Sequence, residues 1–261
     1  MSCKFSISAG VETLFIGKKQ IHLNETVSTN NYAAEMLRQV GTIEGTVITA
    51  DYQSGGRGQR ERHWQSTPKE NLLCTYILKP TWLQIDQQFL LNKAIALAAH
   101  DTADAFSPGS FIRIKWPNDI LLENKKLSGI LVENTVQSGH IVSTLAGIGF
   151  NVNQDNFDKG AGNPVSLKVE LGVEIDVNHV LKTLSSFLEA WYLRLKSGKF
   201  DQIEKAYDAA LWRKDEWQFW QSNDQVFEGK IVRCDHQGKL VIMDKSNQEF
   251  KFSHGEVSIK D

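Results

Sequence analysis

Residues 111–132 read FIRIKWPNDILLENKKLSGILV. Phe111–Lys115 and Ile120–Leu122 are short apolar runs of strand type, separated by the proline-fixed turn Trp116-Pro117-Asn118-Asp119. A Glu123-Asn124-Lys125 turn follows, and Leu127–Val132 is the next apolar run. Gln137-Ser138-Gly139 is a second turn signal, with a further strand expected over His140–Val152. Strands joined by turns this short must be antiparallel, because a parallel crossover needs a dozen or more residues. The chain is therefore expected to be α+β, with a mixed, largely antiparallel sheet.

Working outward, residues 14–23 are read as a short strand pair with Gly17 near its turn. Ser28 opens a helix to about Val40, with Tyr32, Ala33, Met36, Leu37 and Val40 as its apolar stripe and Gly41 as its stop. Thr46–Ala50 and Asn71–Leu78 are expected strands. Phe89 to about Phe106 is an alanine-rich helix closed by Pro108-Gly109. Val177 to about Lys196 is amphipathic at helical spacing, and a shorter helix follows at about 201–212. After Trp212 the texture changes to short turn-separated strands: Gln225–Arg233, Lys239–Met243 and Glu249–Phe252. Two domains are expected, 1–213 and a small all-β unit at 214–261, the second small enough to need a neighbour to lean on.

The 261 residues carry a net charge of −2, so the surface as a whole has no nucleic-acid signature. Cys3, Cys74 and Cys234 form no CxxC pair, and the seven histidines have no metal-ligand spacing, so neither a resident metal site nor a disulfide framework is expected. No signal peptide or membrane span is read, which points to the cytoplasm.

Five stretches could carry chemistry. Gly55-Gly56-Arg57-Gly58-Gln59-Arg60-Glu61-Arg62-His63-Trp64 packs three glycines and three arginines into ten residues, a composition suited to gripping a phosphate or carboxylate. Ser28-Thr29-Asn30 sits at a helix start, where a plain N-cap would also explain it. Lys115-Trp116-Pro117-Asn118-Asp119 presents an amide and a carboxylate side by side. Lys126-Leu127-Ser128-Gly129 places a lysine beside a turn. Gly147-Ile148-Gly149-Phe150-Asn151-Val152-Asn153 puts two glycines inside a strand, a mark of close approach by another group. Walker A, dinucleotide and GxSxG signatures are all missing. Clustered cations, amides for a base edge, and Trp64 or Trp116 for stacking suit acyl-adenylate chemistry. In that reaction a carboxylate attacks the α-phosphate of ATP, and both reactants are negative.

These motifs, in this order, resemble the biotin–protein ligases over roughly residues 20–153, and His254-Gly255-Glu256-Val257 fits the closing β unit. The resemblance implies a class II synthetase-like catalytic domain, an SH3-like C-terminal domain, and biotin and ATP as substrates with Mg²⁺ arriving on ATP. It implies transfer of biotin to a lysine of a biotin carboxyl carrier domain. Ser28, Thr29, Asn30 and Gln53 would hold biotin, with Gly56, Arg57, Lys126 and Gly129 nearer its carboxylate. Arg57, Arg60, Arg62, Trp64, Asn118, Lys126, Gly147 and Asn151 would bind the adenylate, with Trp64 against adenine. Lys126, Arg57 and Asp119 would act in catalysis. A homodimer is compatible with the resemblance. Only about two dozen residues precede Ser28, and they read as strands, so no helix-turn-helix and no operator binding are expected. Three positions depart from the family pattern: Val27 stands where aspartate is common, Gln59 where a second arginine is, and Glu61 where glycine is. The rival readings are a lipoate or octanoate ligase or transferase, and a non-catalytic biotin-binding module. Ser28-Thr29 suits a ureido ring better than an alkyl tail.

Overall fold

The computed structural model describes residues 12–39, 41–59, 63–158, 163–223 and 225–260. Its larger sheet is built from β1 (Gln20–Thr26), β2 (Val47–Gln53), β3 (Asn71–Leu78), β4 (Ile112–Lys115), β5 (Asp119–Leu122), β6 (Lys125–Gln137) and β7 (His140–Asn151). The strand order is β1-β2-β3-β7-β6-β5-β4. Every pairing is antiparallel except that of β1 with β2. The helix α1 (Thr29–Leu37) crosses between those two strands, which is what a parallel neighbour requires.

β3 is buried along its whole length, which only a strand covered on both faces allows. Cys74, Tyr76 and Leu78 join the main core, against α2 (Gln88–Phe106), α4 (Val177–Lys196) and α5 (Phe200–Ala210). On the other face Ile77, with Ile48 and Leu145, packs on Ala33 of α1. Tyr32, Met36 and Leu37 complete that stripe as foreseen, while Val40 lies outside the described residues. α1 lies mainly over β2, β3 and β7, and the sheet beyond it is left open for a cleft.

The second sheet contains β8 (Trp217–Ser222), β9 (Gln225–Cys234), β10 (Leu240–Asp244), β11 (Glu249–Phe252) and β12 (Ser258–Ile259). It runs antiparallel in the order β11-β10-β9-β8-β12. It docks through its β9–β10 turn. The fully buried Lys93 of α2 donates to the Cys234 carbonyl at 2.8 Å, and Asp208 of α5 accepts the Cys234 N–H at 3.0 Å. Phe89 packs against Gly238, whose φ of +84° suits only glycine, and Trp116 Nε1 donates to the Gly238 carbonyl at 3.0 Å.

Some expectations are corrected. Residues 14–23 are not a strand pair: 14–18 form turns and a single strand begins at Gln20. The reason is a distant carboxylate. Glu189 of α4 accepts the N–H groups of Leu14, Phe15 and Ile16 at 2.6, 2.8 and 2.9 Å, meeting the bonds a partner strand would have supplied. α1 stops at Leu37 rather than near Val40, and α5 stops at Ala210 rather than near 212. β8, β12 and a short helix α3 (Leu167–Leu171) are additional elements.

Candidate active site

A cleft of about 1520 Å³ lies over the face of the larger sheet that α1 leaves open. Its floor is made of alternate residues of neighbouring strands: Gly147 and Gly149 of β7, Gly129 and Leu131 of β6. Its mouth includes Trp212, Arg213, Gln221 and 254–259 near the second sheet. The sequence carried no signal for those lining residues beyond the His254-Gly255-Glu256-Val257 motif.

One end of the cleft is ionic. Lys126 Nζ lies 2.8 Å from Asp119 Oδ1, with both side chains partly exposed. β5 and β6 pair Asp119 with Gly129, and a register shift between Ile120 and Leu121 brings Lys126 back toward the turn. The Lys126 backbone is held on both sides, its N–H by the Asn163 carbonyl and its carbonyl by the Val165 N–H. The Asn151 amide donates to the carbonyls of Lys126 and Val165, at 3.3 and 3.1 Å. Asn118, which follows the cis Trp116–Pro117 bond, donates to the Ile130 carbonyl at 2.8 Å. Both asparagines thus brace the strands that carry Lys126, and each keeps a side-chain carbonyl for a ligand donor.

The other end is neutral. Gln53 Oε1 accepts from the Thr29 N–H at 2.7 Å and from its hydroxyl at 3.0 Å. The Thr75 hydroxyl lies 2.8 Å from Thr29 Oγ1 and 2.5 Å from Asn30 Oδ1. Ser28 starts α1 but its side chain makes no capping bond, so the plain N-cap explanation does not hold for it. The hydroxyl of this buried residue is left for the cleft it lines.

The described ends of the glycine-arginine loop pair with each other beside β1. Ser54 and Gly55 donate to the carbonyls of Thr26 and Val27, Trp64 donates to that of Gly56, and Arg57 bridges His63. Gly56 leaves no room for a Cβ, which would meet the Trp64 carbonyl. Arg57 reaches Glu133 of β6, its Nη2 standing 3.1 Å from both carboxylate oxygens. Arg60, Glu61 and Arg62 lie outside the described residues.

Three strand glycines have specific occupants. Gly129 and Gly149 face each other across β6 and β7, and the Trp64 ring rests on both; a Cβ on either would overlap it. Gly147 makes the same room for the side chain of Asn30. Trp64 thus lies on the cleft floor, 5.5 Å under the Lys126 ammonium. Its indole N–H, and the Gln59 side-chain oxygen, are buried and make no hydrogen bond among the described residues. Two residues of this site were given no role from sequence. Thr75 is one position in an apolar strand, and Glu133 is the last residue of Lys-Leu-Ser-Gly-Ile-Leu-Val-Glu. Among the described residues no cluster of three His, Cys, Asp or Glu could hold a metal ion. No described helix is long and apolar enough to cross a membrane.

Residues 23–151 match the Biotin/lipoate A/B protein ligase family. A biotin–[acetyl-CoA-carboxylase] ligase of Paracoccus denitrificans is 30% identical over 226 residues, covering 84% of this chain and 92% of that protein. The chain belongs to the biotin–protein ligase family. Within it, the bifunctional ligase/repressor BirA of Bacillus spizizenii is 30% identical over 240 residues, 90% of this chain and 73% of that one. The fold is shared with the biotin protein ligase of Aquifex aeolicus solved with biotin and ATP. That match has a TM-score of 0.76 and 24% identity, and covers 93% of this chain and 99% of the other.

Proposed function

We propose that this family member activates biotin with ATP to biotinyl-5′-AMP, releasing pyrophosphate, and passes the biotinyl group to a lysine of a biotin carboxyl carrier domain. The observation that carries this is the polarity of the cleft: a neutral hydroxyl–amide network at one end, a lysine–aspartate pair at the other. A ureido ring offers donors and a carbonyl, matching the polar groups of Ser28, Thr29 and Gln53; an alkyl tail would give the buried Ser28 hydroxyl no partner, at a cost of about 1–3 kcal/mol.

In the first step a biotin carboxylate oxygen bonds to the α-phosphorus of ATP and the bond to pyrophosphate breaks. Lys126 offsets the negative charge that builds where the two anions meet, because its ammonium lies in the cleft and its backbone is fixed on both sides. Arg57 supports the same junction from the loop. In the second step the amine of the carrier lysine bonds to the acyl carbon and AMP leaves. Asp119, beside Lys126 in the cleft, takes the amine proton in this reading. Asn118 and Asn151 offer acceptors to the adenine amino group. Arg60 and Arg62 belong to the nucleotide side, and Asn30, Gly56 and Gly129 to the biotin side; Gly147, expected on the nucleotide side, packs against Asn30 and goes with the biotin side. Asp119 is already paired, so Mg²⁺ fits as a companion of the triphosphate, bound by phosphate and water rather than by a protein cage.

We assign residues 1–213 to catalysis and 214–261 to a small SH3-like unit, a reading supported by the antiparallel five-stranded sheet. A cytoplasmic, non-DNA-binding enzyme, able to pair with a second copy, is the assignment that accompanies this function. Incubation with labelled ATP and biotin should yield biotin-dependent pyrophosphate and a biotinyl adenylate. Turnover with octanoate but not biotin would support the lipoate-type reading instead, and no adenylate with either would overturn both.

A further inference from the structure

Glu133 is a carboxylate shared by two separate parts of the cleft. From one side comes Arg57 of the loop, at 3.1 Å from each oxygen; from the other comes the Asn30 amide, at 2.6 Å. Asn30 is itself buried and bound through Thr75 to Thr29, and Thr29 to Gln53. Gln53 ends β2, three positions before Gly56 in the root of the same loop. The bonds therefore form a nearly closed ring: Arg57, Glu133, Asn30, Thr75, Thr29, Gln53, and back along the chain to Arg57. Glu133 is the one carboxylate in that ring, and among the described residues the Arg57–Glu133 contact is where the loop's side chains grip the sheet through charge. On β6 it lies four residues beyond Gly129, about 13 Å along the strand, and it reaches the cleft through Arg57 and Asn30.

We propose that Glu133 is a positioning residue: by clamping Arg57 it holds the 55–59 loop over the neutral end of the cleft and ties loop closure to the Thr29–Gln53 network. It rests on the biotin-ligase reading for its effect on biotin, but not for its effect on the loop. The pair is 45% and 37% exposed, so solvent screens it and the effect is modest.

The test is Glu133→Gln, which keeps size and an acceptor for Asn30 but removes the charge. In the ligand-free protein, amide exchange at 55–59 should accelerate. In the full enzyme the KM for biotin should rise about fivefold, with kcat changed less than about twofold. Raising the salt concentration should weaken biotin binding by the natural protein more than that by the variant, and equal salt dependence would overturn the clamp. A folded Glu133→Gln with unchanged exchange and unchanged KM would overturn the proposal. So would a fall in kcat at constant KM, which would put Glu133 in the chemistry. If Glu133→Gln does not fold, the natural protein decides: exchange at 55–59 must quicken with salt while that of 71–78 does not, and equal behaviour overturns the clamp. The exchange result stands whether or not adenylate is formed, so this proposal and the ligase reading fail separately.

Discussion

The two ends of the cleft hold their ligand-facing groups by different means. At the Ser28–Gln53 end the partners are neutral, buried and joined by short hydrogen bonds, with Ser28, Thr29 and Asn30 all under 5% exposed. At the Lys126–Asp119 end the partners are charged and partly open to water. A buried neutral network discriminates by shape, since a ligand that leaves one of its groups unpaired loses a whole hydrogen bond. An exposed ion pair discriminates little, but its ammonium can turn from the carboxylate toward charge that appears during reaction. On the proposed function, selectivity and rate enhancement fall to opposite ends of one groove.

The contrast breaks first at Lys126. Lys126→Ala should lower biotin-dependent pyrophosphate release by at least about a hundredfold, the usual loss of a group placed on developing charge. Because the lysine is partly exposed and its backbone supports do not use the side chain, the melting temperature should move little; near-normal turnover would remove Lys126 from the chemistry. Next comes the neutral end. Thr29→Val keeps the shape and removes the hydroxyl between Gln53 and Thr75, so the KM for biotin should rise about tenfold with a smaller change in kcat. A loss in kcat alone would erase the division between the two ends. The smallest effect belongs to the loop. Gln59→Arg adds a cation where Gln59 lines the cleft, and should slow dissociation of the adenylate by about two- to fivefold. Dissociation followed after a chase with unlabelled ligand checks it, and faster release would mean the loop is not closed by charge.

What could be read from the sequence was what depends on near neighbours. The helix over 177–196 shows itself in Leu181, Leu184, Leu188 and Leu195 at turn spacing, and the strand over Asn71–Leu78 appears where it was expected. The antiparallel order of β4 to β7 follows from turn length alone. The missed features depend on partners far along the chain. Leu14–Ile16 behave as they do because of Glu189, more than 170 residues away. Glu133 looks like the polar end of an apolar run until Arg57, 76 positions earlier, is seen to meet it. The strand glycines did advertise close approach, but only the fold names the approaching groups as Trp64 and Asn30. β8, by contrast, was open to a closer reading, since Trp217, Phe219 and Gln221 alternate with Gln218, Trp220 and Ser222.

The seat of Trp64 on Gly129 and Gly149 has a consequence for how such a chain can change over time. Adding one carbon at either glycine requires the indole to leave, and shrinking the indole opens a void beneath Lys126. Neither step is tolerable alone. The three positions, spread over 85 residues, therefore constrain one another: the size of the side chain at 64 and the absence of one at 129 and 149 are a single packing decision.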